Sequence, residues 1–88
     1  MERAAARGKY SPLYEHLKTL PYDRWSATFD DLEKLLGFEL PDSARLSRPW
    51  WANGASRGGH SQALAWEMAG WKTTDVDMEE ERVTFVRN

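Results

Sequence analysis

The sequence predicts an α+β fold, in which short amphipathic helices pack against a small antiparallel sheet. Leucines recur at helical spacing in "SPLYEHLKTL" and "TFDDLEKLLG", whereas "DRWSATF" alternates apolar and polar residues as a strand does. The C-terminal run "KTTDVDMEEERVTFVR" contains two alternating stretches around an acidic turn, which is typical of a β-hairpin. The 88 residues are enough for one small domain.

The first predicted helix lies in "SPLYEHLKTL". Ser11 is placed to be its N-cap, and Pro12 follows at the first helical position, where a missing N–H costs nothing. Pro21 ends the helix because proline cannot continue the hydrogen-bond ladder.

The next segment combines a short strand with a second helix. Trp25 and Phe29 lie on one face of the predicted strand. Thr28 can cap the helix, Asp31 is the acid of a shortened capping box, and Gly37 is placed to stop the helix.

The second half of the chain predicts two more helices. A third helix begins at Asp42 or Ser43 and is bounded by Pro49 or Gly54, and "GASRGG" follows as a flexible loop. The fourth helix, "HSQALAWEMAGW", is apolar around much of its circumference, so we expect it to be buried on more than one side. Gly70 closes it.

The element order is helix, short strand, helix, helix, strand, strand, with one extra short helical segment. A lone hairpin is marginally stable, so the short strand is expected to join it in a three-stranded antiparallel sheet. This order predicts a winged helix-turn-helix-like domain over residues 10–88, preceded by a flexible tail at residues 1–9.

Composition excludes several classes of protein. With no cysteine, the chain has neither disulfides nor thiolate metal sites, and its two histidines are too far apart in sequence to predict a zinc site. No apolar run approaches the ~20 residues of a membrane span, and the first ten residues lack a signal-peptide stretch. No nucleophile, metal or phosphate-loop motif is present. We therefore expect a cytoplasmic protein that is not an enzyme and has no cofactor.

The net charge of −2 hides an uneven distribution. Residues 42–62 carry three arginines against one aspartate, a net charge of +2. Residues 75–82 carry five acids against one arginine, a net charge of −4. The middle segment is therefore suited to an anion, whereas the C-terminal turn would repel one.

Basic and amide side chains surround the third helix, the glycine-rich loop and the start of the fourth helix. Arginines contact phosphates or guanine, and asparagine and glutamine form paired hydrogen bonds with base edges. The loop glycines let backbone N–H groups approach a phosphate, and a helix start favours an anion. In a winged helix this region faces the DNA groove; a solvated polar loop is the alternative. The expected nucleic-acid contacts are Arg45, Arg48, Trp51, Asn53, Arg57, His60, Ser61 and Gln62.

Adjacent tryptophans are a separate feature of this region. Consecutive side chains point in different directions in a helix or a strand, so one ring can be buried while the other is exposed. We expect Trp50 in the core and Trp51 outside, as a stacking platform for a base or a partner side chain; the alternative is that both rings pack. Trp25, Trp66 and Trp71 are expected in the core.

Two functional hypotheses follow. The first is a small nucleic-acid-binding domain, for duplex DNA, that acts as a regulator or accessory factor. The second is a protein-interaction module whose contact surface is the acidic hairpin and the exposed Trp51. An uncovered hairpin edge also predicts a possible homodimer.

The strings "SPLYEHL", "TFDDLEKLLGFELPDSAR", "RPWWAN", "QALAWEMAGW" and "VDMEEERVTFVR" span residues 10–87. In these strings the chain resembles an uncharacterised family of small bacterial and phage domains that carries no established activity. Similar segments occur beside nuclease-type domains, so the resemblance implies a nucleic-acid context by analogy.

Overall fold

The computed structural model describes residues 8–54 and 61–88. Within these ranges the chain forms four α-helices, a single 3₁₀ turn and a three-stranded antiparallel sheet of order β1-β3-β2, which confirms the α+β class. The winged-helix assignment stays a prediction. The elements are α1 (Ser11–Thr19), β1 (Arg24–Thr28), α2 (Phe29–Leu36), α3 (Asp42–Leu46), the 3₁₀ turn (Arg48–Trp51), α4 (Ser61–Met68), β2 (Trp71–Asp77) and β3 (Arg82–Arg87).

Helix α1 begins one residue earlier than its sequence predicts. Tyr10 is the N-cap and Ser11 is already helical, so the prediction of a serine cap is wrong. The Tyr10 ring is buried and meets Phe38 and Trp50 edge-on, with ring centroids 5.7 and 6.1 Å away. Packing of this ring therefore sets the start of the helix, in place of a side-chain cap.

Helix α2 begins and ends as its sequence predicts. The N–H of Asp31 donates to Thr28 Oγ1 at 3.0 Å, and the N–H of Thr28 donates to Asp31 Oδ2 at 3.1 Å. Gly37 ends the helix at φ 85°, a conformation that glycine adopts without a steric penalty. Phe29 belongs to α2 and not to the strand, and its N–H donates to the carbonyl of Glu81 at 2.8 Å.

The predicted third helix is divided in two. Helix α3 ends at Leu46, and the chain resumes in the 3₁₀ turn, which contains Pro49. Proline lacks the N–H that a continuous helix requires at that point. The indole N–H of Trp51 donates to the carbonyl of Ala44 at 2.8 Å and ties the turn back to α3.

The hairpin places β3 in the centre of the sheet, paired with β1 on one side and β2 on the other. The sequence places the acidic turn of the hairpin at Glu79–Arg82, but Asp77 pairs with Arg82, so the turn comprises residues 78–81. Glu81 has a φ of 53°, which allows the chain to reverse before β3. A register shift between Thr73 and Asp75 marks a bulge in β2.

The core is a continuous set of aromatic rings between the helices and one face of the sheet. Trp51 stacks on Phe29 at 4.8 Å and on Trp66 at 6.3 Å, and Trp66 meets Phe85 edge-on at 5.5 Å. Trp66 and Trp71 are fully buried, as predicted, whereas Trp25 is half-buried over Phe85. These rings supply much of the apolar area that so short a chain can bury.

Within residues 8–54 and 61–88, none of the helices has the length and apolar character that a membrane crossing requires.

Candidate functional site

Arg45 is held by three carboxylates. Its Nη1 lies 2.7 Å from Glu81 Oε1, and its Nη2 lies 3.1 Å from both Asp30 Oδ1 and Glu33 Oε2. Arg45 donates hydrogen bonds to all three carboxylates, and these bonds, above all the one to Glu81, raise the pKa of Arg45 above its ordinary value. Arg45 therefore joins α2, α3 and the hairpin turn, and its charge is already compensated. Its role as a phosphate contact stays a prediction, and such a contact would compete with these three ion pairs.

Asn53 is committed to the edge of β2. Its Oδ1 accepts from the indole N–H of Trp66 at 2.9 Å and from the N–H of Thr73 at 3.1 Å. Its Nδ2 donates to the carbonyl of Thr73 at 3.1 Å. The Oδ1 of Asn53 and one N–H of its Nδ2 are thus bonded within the fold, although the residue as a whole is exposed.

Gln62 and Trp51 face the interior. Gln62 is 4% exposed, and its Nε2 donates to the carbonyl of Trp50 at 3.0 Å. Trp51 is 2% exposed, so the prediction that it is the outer ring is wrong. Trp50 is the half-buried member of the pair, because Trp51 fills the space between α2 and α4.

Arg48 is a predicted contact residue that is exposed and not ion-paired among the described residues. Within the described ranges, no carboxylate lies within 4.0 Å of its guanidinium. Arg57 and His60 lie outside the described residues, as does the side chain of Ser61. The described members of the predicted set therefore do not form one basic surface, because Arg45 is ion-paired and Trp51 and Gln62 are buried.

A groove runs beside strand β2, between this strand and the 3₁₀ turn. It consists of two adjoining cavities of about 450 and 650 Å³, and Arg48 and Val76 line both. Pro49 and Thr74 line the first cavity, and Met78 lines the second. We call these two cavities together the β2 groove.

The rim of the β2 groove is acidic. Among the described residues that line the second cavity, Asp75, Asp77 and Glu79 carry three negative charges and Arg48 is the only cation, so their balance is −2. Asp75 also forms an ion pair with Arg24, with 3.6 Å between Oδ2 and Nη2 and side chains that are 74% and 64% exposed. An ion pair so open to solvent reduces the negative charge of the rim little. The lining of the groove thus combines the apolar residues Pro49, Val76 and Met78, which we call its floor, with the charged residues of the second cavity, which we call its rim.

The sequence showed the acidic hairpin but missed the groove. Pro49 and Val76 are 27 positions apart, and no sequence pattern indicates that they line one cavity. Successive side chains of a strand point to opposite faces, so the sequence of β2 does predict that Val76 and its acidic neighbours lie on different faces.

His16 is a packing residue. Its ring lies 4.5 Å from that of Trp25, between α1 and β1. Its Nε2 is buried and finds no hydrogen-bond partner among the described residues, and burial lowers the pKa of the imidazole. In the described part of the chain, no group of acidic or histidine side chains is arranged to hold a metal ion.

Comparison with known proteins gives one match. No curated protein and no solved structure matches the chain. A model of a family described as a domain of unknown function, DUF7662, matches residues 10–88, almost the whole chain. The chain therefore belongs to the DUF7662 family.

Proposed function

We propose that the domain is a protein-interaction module that binds a basic, partly apolar segment of another protein in the β2 groove. The observation that carries this proposal is the pairing of an apolar floor, with Pro49, Val76 and Met78, with a rim of net charge −2. A lysine- or arginine-bearing segment complements this rim, and its apolar side chains would be removed from water by the floor.

The positions of the predicted nucleic-acid contacts favour this proposal over DNA binding. Arg45 is paired with carboxylates, and the amides of Asn53 and Gln62 are occupied. The acidic rim would repel phosphate. DNA binding would depend on Arg48, together with residues outside the described ranges. It stays the competing hypothesis and is decided by the same experiment.

The test compares two fluorescent probes by anisotropy at low salt. The first is a blocked heptapeptide, Lys-Val-Lys-Val-Lys-Val-Lys, and the second is a mixed-sequence DNA duplex. We expect the protein to bind the peptide and not the duplex. In the double variant Asp75→Lys/Glu79→Lys, the charge of the rim changes from −2 to +2, and peptide affinity should fall at least about tenfold.

A matched control is the variant Glu15→Lys/Glu39→Lys. It makes the same change in net charge at two exposed positions that do not line the groove. Its affinity should stay close to that of the parent. Equal losses in both variants would show that only net charge matters, and duplex binding that Arg48→Ala abolishes would establish the DNA hypothesis in its place.

A further inference from the structure

Strand β2 lies at an edge of the sheet. At one of its residues, the backbone N–H and C=O that point away from β3 are already hydrogen-bonded to another part of the chain. Among the described residues, the sheet order leaves one side of β2 without a neighbouring strand. At Thr73 the side chain of Asn53 donates to the carbonyl and accepts from the N–H, both at 3.1 Å. The amide thus makes the two hydrogen bonds that a residue of an added strand would make.

The next residue of β2 whose backbone groups point away from β3 can be identified from the alternating direction of the hydrogen bonds along β3. The N–H of Arg87 donates to Asp23 and that of Phe29 donates to Glu81, so odd-numbered residues of β3 bond toward β1. Val83 is one of these, and its partner on β2 is Val76. The N–H and C=O of Val76 therefore point away from β3.

Val76 lines both cavities of the β2 groove, so these two backbone groups lie at the groove. Among the described residues none hydrogen-bonds to them. An edge with paired donors and acceptors in a groove is the arrangement that receives an extended peptide.

We propose that the β2 groove binds its partner by β-strand addition, through the N–H and C=O of Val76, and that the partner is an extended segment in which basic and apolar residues alternate. This inference rests on the proposed function and specifies its geometry. Asp75 and Asp77 point to one face of β2 and Val76 to the other. An added strand alternates in the same way, so its basic residues lie beside the carboxylates and its apolar residues lie over the groove floor.

A second copy of this chain does not suit the same edge. Pairing of β2 with β2 of another molecule would bring two sets of the carboxylates of Asp75, Asp77 and Glu79 together, with one Arg48 on each side. Like charges across paired strands are destabilising. The chemistry of the edge therefore selects a basic partner over self-association.

The first test is the variant Val76→Pro, which removes the outward N–H and leaves the hydrogen bonds between β2 and β3 in place. Binding of the alternating heptapeptide should weaken about tenfold. The control Ser26→Pro removes the outward N–H at a position of the opposite edge strand, β1, and it is compared with Ser26→Ala because both variants also lose the hydrogen bond between the Ser26 and Thr84 hydroxyls. It should bind as the parent does; an affinity unchanged in Val76→Pro would overturn the inference.

The second test uses the unaltered protein, so it does not depend on how a proline variant folds. Amide hydrogen exchange at Val76 should slow when the alternating peptide binds, because its N–H becomes a donor to the added strand. Exchange at Val76 that stays unchanged in the saturated complex would overturn β-strand addition.

A peptide of the same composition in helical order, Val-Lys-Lys-Val-Val-Lys-Lys, separates the two proposals. We expect it to bind at least about tenfold more weakly than the alternating peptide. If the helical peptide binds as tightly and the Asp75→Lys/Glu79→Lys variant loses both, the interaction module stands and strand addition is wrong. If neither peptide binds, both proposals fail.

Discussion

Arg45 and Arg48 are three positions apart, yet they lie in two different environments. Arg45 is 27% exposed and contacts three carboxylates that come from α2 and the hairpin turn. Arg48 is exposed at the rim of the β2 groove. The charged groups around Arg45 are hydrogen-bonded to one another within the fold. The β2 groove around Arg48 leaves charged side chains exposed to solvent. Residue type and local charge therefore do not distinguish a stabilising arginine from one at a binding surface.

The largest effect on stability is expected at Asn53, whose amide, like the guanidinium of Arg45, is hydrogen-bonded within the fold. Asn53→Ala leaves the indole N–H of the buried Trp66 and the backbone of Thr73 without their partners, and we expect unfolding to become easier by about 3 kcal/mol. Urea denaturation followed by tryptophan fluorescence measures the change. The control Thr74→Ala, at an exposed neighbour, should shift stability by no more than about 0.5 kcal/mol. Similar values in both variants would show that the Asn53 contacts contribute nothing net.

Arg45→Ala should destabilise the protein by about 2 kcal/mol, because three carboxylates lose a shared charged donor and repel one another. Arg48→Ala is the matched control and should change stability by no more than about 0.5 kcal/mol. Both values come from urea denaturation at one salt concentration. A loss in Arg48→Ala as large as that in Arg45→Ala would remove the distinction between the two regions.

His16 extends the comparison to a group whose charge can be changed by pH. Burial lowers the pKa of His16 in the folded state below about 6.5, the ordinary value of a histidine, so between the two pKa values the unfolded chain binds more protons than the folded chain. Stability should therefore be complete above pH 6.5 and fall as the pH drops below it. Thermal unfolding between pH 8 and 5 measures this. His16→Phe keeps a ring beside Trp25 and should show a weaker pH dependence; an identical profile would contradict the assignment.

The smallest effect is expected for Arg48→Ala on binding. Arg48 is the only cation among the described residues of the second cavity, so its removal makes the rim more negative and affinity for the Lys-Val peptide should rise about twofold. Fluorescence anisotropy at low salt shows the direction. The DNA hypothesis expects the opposite sign for duplex binding, so this one variant separates the two functions.

Features that depend on neighbours along the chain followed from the sequence. The capping box of Thr28 and Asp31 and the glycine stop at Gly37 have the predicted geometry. The fourth helix is buried widely, with Gln62, Ala63, Ala65 and Trp66 all in the interior. Alternating residues correctly predicted the three strands and their antiparallel sheet. In each case the signal lies within one turn of helix or one strand.

The candidate site was predicted less well because its residues are joined through long-range contacts. Arg45 meets Glu81 across 36 positions, and Asn53 meets Thr73 across 20. Composition indicated binding by arginines and amides, but it did not indicate which of them were already bonded inside the fold. The acidic hairpin was visible in the sequence, and only its position beside Pro49 and Val76 made it the rim of a groove.

Local backbone preferences and side-chain alternation were enough to predict the cap at Thr28, the helix stop at Gly37, the three strands and the acidic turn. Three other features depend on contacts between distant residues: Trp51 is the inner ring, Arg45 is ion-paired, and the outward backbone groups of Val76 have no partner among the described residues. Burial and hydrogen-bond partners are set by the distant residues that fill the space around a side chain, and the packing of the whole fold determines which residues these are.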